Sequence, residues 1–92
     1  MNPCVPLMLS KAELKLCMRA TTARSSTMAE LEYAHDMGEE CNLWECEWMQ
    51  LSKDLLAHSK KKGTQDKQEL HDLSFTIKNA IIERATSYVE LL

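Results

Sequence analysis

Glu32-Tyr33-Ala34-His35 is a Glu-x-x-His pair, and Gln68-Glu69-Leu70-His71 has the same spacing with Gln in first place. Di-iron helical bundles need two such pairs plus two further inward glutamates. Gln68 offers an amide where the second carboxylate belongs, so both pairs are read as solvated helix faces. Cys41 and Cys46 raise the question of zinc. Five residues along one helix turn two thiols roughly 140° apart, whereas structural zinc sites use closely spaced cysteines and four ligands. Both are therefore expected to be core thiols. The same geometry separates their Cα atoms by about 8–9 Å, beyond the reach of a disulfide. Cys4 and Cys17 suggest no disulfide framework, so reduced thiols in a cytoplasmic protein are expected. His58 lies beside Lys60-Lys61-Lys62 and reads as a hydrogen-bonded histidine near a helix terminus. Two isolated glycines, Gly38 and Gly63, cannot build a phosphate loop. No catalytic, cofactor-binding or metal-ligating residue is assigned, no cofactor is expected, and the chain is read as not an enzyme.

The composition points the same way. Ninety-two residues carry 11 Lys plus Arg against 14 Asp plus Glu, a net charge of −3. That removes the electrostatic footprint of a general nucleic-acid binder. No segment approaches the ~20 apolar residues of a membrane span, and the first residues lack the basic region of a signal peptide. With two Gly and two Pro, Pro3 and Pro6 both near the start, a sandwich or barrel lacks its turn residues. The expected class is all-α.

Ser10 and Glu13 form a capping box, with Leu9 and Leu14 at the hydrophobic-staple positions. They open a short helix predicted over 11–23, followed by a polar connection at 22–26. Thr27 and Glu30 make a second box, opening one long helix from Met28 that runs unbroken through Gly38 to Gly63. Residues 28–52 hold seven acids and no Lys or Arg, and Lys53 and Lys60–Lys62 follow. Anions first and cations last suit a single helix macrodipole. A tight turn at Gly63-Thr64 leads to a third helix reaching the last residues. The expected organisation is an N-terminal arm with a short helix (1–26) and an antiparallel, coiled-coil-like two-helix hairpin (27–92).

Along the long helix Ala34, Met37, Cys41, Trp44, Trp48, Leu51, Leu55 and His58 alternate at spacings of three and four, a packing seam that Trp44 and Trp48 should anchor. The facing stripe is Leu70, Leu73, Ile77, Ala80/Ile81, Ala85, Tyr88 and Leu91/Leu92. Apolar groups remain on both helices: Met49 and Leu56 lie to one side of the seam, and Phe75, Ile82 and Val89 recur on the third helix away from its main stripe. The short helix can cover one side through Leu14, Cys17 and Met18, but spans only ~20 Å. The first 27 residues sum to +3 and 28–52 to −7, so the arm is expected either to dock on the acidic half of the long helix or to engage an acidic partner. Another chain is expected to cover what is left, with Phe75, Ile82, Val89, Met49 and Leu56 as partner-binding residues.

Lys60-Lys61-Lys62-Gly63-Thr64-Gln65-Asp66 at the turn, followed by Leu70, Leu73, Ile77, Ala80, Ile81 and Ile82, resembles the small E-type helical-hairpin chaperone partners of type III secretion needle assembly. The resemblance covers residues 27–92 and is architectural. It implies a co-chaperone that joins a helical-repeat protein and keeps a needle subunit from polymerising in the cytoplasm. The expected function is a small protein-interaction module, a secretion chaperone, co-chaperone or adaptor that sequesters a partner helix in a hetero-complex. Two alternatives stand beside it: a phage- or host-encoded acidic inhibitor working through Glu30 to Glu47, and a self-associating helical homo-oligomer.

Overall fold

The computed structural model describes residues 4–21 and 26–91, with side chains through Thr86. Along the chain run β1 (Cys4–Leu7), α1 (Lys11–Ala20), α2 (Ser26–Asp36), β2 (Cys41–Trp44), α3 (Glu45–Ser59) and α4 (Lys67–Leu91). The fold is mostly helical, as expected, but not purely α: β1 and β2 pair as a two-stranded antiparallel sheet.

The capping box at the start of α1 is formed. Ser10 Oγ accepts the Glu13 amide at 3.1 Å, and the Ser10 amide donates to Glu13 Oε1 at 2.9 Å. Leu9 and Leu14 are buried. The helix stops at Ala20, short of the expected 23, because Thr21 turns extended.

The long helix is the main correction. It breaks at Gly38, whose φ is +69°. The Gly38 amide donates to the His35 carbonyl at 3.1 Å and the Glu39 amide to the Ala34 carbonyl at 2.8 Å. These are the two bonds of a Schellman motif, with Gly38 in the left-handed position that closes a helix. Beyond it, Cys41 and Leu43 turn inward while Asn42 and Trp44 face out, the period-two pattern of a half-buried strand. The register is Cys4↔Trp44, Val5↔Leu43, Pro6↔Asn42 and Leu7↔Cys41. Pro6, with no amide proton, is acceptable because β1 is an edge strand.

The sheet reassigns both tryptophans. Trp44 is 46% exposed, on the outer face opposite Cys4, and anchors no helix seam. Trp48 is fully buried, and its indole N–H donates to the Val5 carbonyl at 2.8 Å. Thr27 also departs from its expected capping role. It lies in the first turn of α2, and its hydroxyl donates to Glu47 Oε1 at 3.4 Å. Glu47 Oε2 accepts the Trp44 amide at 3.2 Å, so one carboxylate joins the starts of α2 and α3.

A single core draws on every element. Its largest interface joins α3 and α4, which meet across the turn at 60–66 containing Gly63 at φ +85°. Leu51 and Leu55 pack there with Leu70, Leu73, Ile77 and Ile81. Three serines are buried too, and each hydroxyl donates to a carbonyl of its own helix: Ser52 to Met49, Ser59 to Leu56 and Ser74 to His71, at 2.9, 2.6 and 2.7 Å. The buried stripe of α4 ends at Ile81. Ala85, expected to continue it, is exposed, and the side chains of Tyr88, Leu91 and Leu92 lie outside the described residues.

The arm is docked. Leu14, Leu16 and Cys17 of α1 are buried against the other helices. Its described ion pair runs from Arg19 Nη2 to Asp66 Oδ2 at 2.8 Å, in the α3–α4 turn rather than the acidic segment. An exposed pair of this kind contributes about 0–1 kcal/mol, so apolar burial holds α1 in place. Two substitutions test these anchors by urea melts. Gly38→Ala meets no atom within 4 Å, so its expected loss of about 1–2 kcal/mol is a backbone cost that Gly38→Asn should reduce. Trp48→Phe strands the Val5 carbonyl and leaves a void, and should cost about 2–4 kcal/mol.

Candidate protein-docking cleft

Met49, Ser52, Lys53 and Leu56 stand at i, i+3, i+4 and i+7 of α3, one face of a helix. Ser74, Phe75 and Lys78 meet them from α4, and the two sets line a cleft of about 120 Å³. Met49 and Leu56 are half-buried, and Phe75 remains 43% exposed. The Ser52 and Ser74 hydroxyls are occupied by their own helices, so the floor offers a ligand little beyond apolar surface. Phe75 is held by its neighbours on α4. The His71 ring lies 4.8 Å from it, tilted by 42°, and Lys78 Nζ sits 5.8 Å from its centroid.

Met49, Leu56 and Phe75, expected as partner-binding residues, thus share one cleft. Ile82 does not line it but continues the same face of α4 about two turns beyond Phe75, 52% exposed. The Val89 side chain lies outside the described residues. Sequence reasoning missed Lys53 and Lys78, the only charged groups of the lining among the described residues. Their spacing, four on from Met49 and three on from Phe75, was the available signal.

The other candidate chemistry is dispersed. His35 lies 3.6 Å from Asp36 on α2, while His71 stacks on Phe75 of α4. Among the described residues no group of three or more His, Cys, Asp or Glu could hold a metal ion. Cys17 and Cys41 are buried as expected, and Cys41 Sγ donates weakly to the Leu31 carbonyl at 3.8 Å. Cys46 is exposed, a correction: the break at Gly38 and the strand at 41–44 reset the helical register and leave it in the first turn of α3 on a side the core does not cover. All four thiols are free. No helix among the described residues is long and apolar enough to cross a membrane.

The chain matches no protein-family model, no curated protein and no solved structure.

Burial, reinforced by the nearby Glu13 carboxylate and Cys41, pushes the Cys17 thiol up from 9.0 to about 12. Burial also raises Cys41. A thiol that ionises near 9.0 when unfolded but resists until about 12 when folded stabilises the fold fully below pH 9; that stability drains as pH rises between the two values. Between pH 8 and pH 10 the wild-type chain should lose about 1.4 kcal/mol more than Cys17→Ala, measured by urea melts at each pH. Parallel losses in the two proteins would remove Cys17 from the account.

Proposed function

We propose that this chain is a protein-interaction module that sequesters a partner helix between α3 and α4. The observation that carries the reading is the convergence of Met49, Leu56 and Phe75 in one apolar cleft, continued by exposed Ile82. Full burial of side chains this size is worth roughly 1.5–3 kcal/mol each, and half-exposed ones recover part of that. A partner helix presenting apolar residues at i, i+3/i+4 and i+7 would cover the cleft and Ile82 together.

In this reading α3, the turn at 60–66 and α4 form the antiparallel hairpin that presents the cleft. The resemblance to needle-assembly chaperone partners supports a specific form: a cytoplasmic secretion chaperone or adaptor, without enzymatic activity, that holds an aggregation-prone helix until it is handed on. The apolar character of the floor supports it further, because a surface without fixed polar partners tolerates many helix sequences.

The test is capture from cells that express the chain, with tagged wild-type protein and Phe75→Glu compared side by side. Phe75→Glu should keep its far-UV circular dichroism and lose at least ten-fold of whatever chain the wild type retains. An identical set of captured chains in both would sink the proposal, and unfolding of Phe75→Glu would make Phe75 a core residue.

A further inference from the structure

We propose that the cleft between α3 and α4 binds a second copy of this chain through the exposed face of its α2. The inference rests on the docking reading above and names the occupant. Its first observation is the charge of the cleft: Lys53 and Lys78 line it, and among the described residues no carboxylate does. The other described clefts all have at least one acidic side chain in their lining. The cationic apolar groove is therefore distinctive in a chain of net charge −3.

The second observation is a complementary surface elsewhere on the same chain. Tyr33 and Met37, one turn apart, are 64% and 57% exposed. Glu30 and Asp36 flank Tyr33 at i−3 and i+3, about 60° to either side on the helical wheel, and Glu39 and Glu40 follow at once. All four acids are exposed. An apolar ridge edged with carboxylates faces solvent along α2 and the turn that closes it, with Lys11 and Lys15 of α1 in the cleft beside Asp36, and an apolar groove edged with ammonium groups faces solvent between α3 and α4.

One copy does not bring the two together, because Tyr33, Met37 and Phe75 all remain exposed in the folded chain. The contact is between unlike surfaces, so each docking event leaves one ridge and one groove open. Association then proceeds head to tail, into a ring if the rotation closes and into longer chains if it does not.

Sedimentation velocity on the full chain over a wide concentration range tests this. The mass should exceed that of a monomer and rise with concentration, and the association should weaken steeply as salt shortens the Debye length. Two double charge reversals at exposed positions, Lys53→Glu with Lys78→Glu and Glu30→Lys with Asp36→Lys, should each give a monomer with unchanged helicity. An equimolar mixture of the two should restore the wild-type mass, because each reversed groove meets a reversed ridge. A wild-type monomer at every concentration overturns the proposal, as does association that ignores both reversals. If that monomer still captures a different chain through Phe75, only self-docking falls and the partner-helix reading stands. If Phe75→Glu changes neither association nor capture, both fall.

Discussion

Trp48 ties together parts of the chain that local sequence keeps apart. Its buried indole donates to the carbonyl of Val5, across 43 residues, and fixes β1 against α3. A four-residue, two-stranded sheet is marginal on its own; here its inner face, Val5 and Leu43, is held by that indole and by α4. Once β1 is fixed, residues 41–44 have a partner that a continuous helix could not use. The chain leaves helix at Gly38 and returns to it at Glu45. As a result α3 has 15 residues and α4 has 25, so α4 outruns its neighbour by roughly 15 Å. The exposure of Ile82 follows from that mismatch: beyond Ile81 the described side chains of α4 are all exposed.

Signals that act within one helical turn were readable in the sequence. Ser10 and Glu13 cap α1 as expected, and Leu70, Leu73, Ile77 and Ile81 bury as the facing stripe. Signals that need a distant partner were not. Cys41, Trp44 and Trp48 fit a three-four helical spacing, while Cys41 and Leu43 fit a two-residue alternation, and over four residues nothing local separates the two patterns. The deciding partner, Val5, sits in a segment whose prolines gave no hint of a strand. Gly38 held a readable clue, since a left-handed glycine commonly ends a helix. Yet the apolar seam runs on past it, and a cost of about 1 kcal/mol is one that helices tolerate.

The cleft was half readable for a related reason. Spacing placed Met49 and Leu56 together on α3 and Phe75 with Ile82 on α4. Whether the two faces meet depends on how each helix is rotated about its axis, and that rotation is set by the core. The buried serines contribute to it. Ser52, Ser59 and Ser74 are small enough to let α3 and α4 approach closely, and their hydroxyls are satisfied without reaching across. Ser52 and Ser74, their hydroxyls already engaged, leave the cleft floor largely apolar, so the two lysines of the lining give it its electrostatic sign.

The four thiols divide into an outer pair, Cys4 and Cys46, and an inner pair, Cys17 and Cys41. Cys17 belongs to α1 and Cys41 to β2, so the inner pair sits on two neighbouring elements of one core. An alkylating reagent reaches either only when the core around it opens, and the labelling rate measures how often that happens. The protein thus carries two internal clocks set side by side, one on its first helix and the other on its sheet.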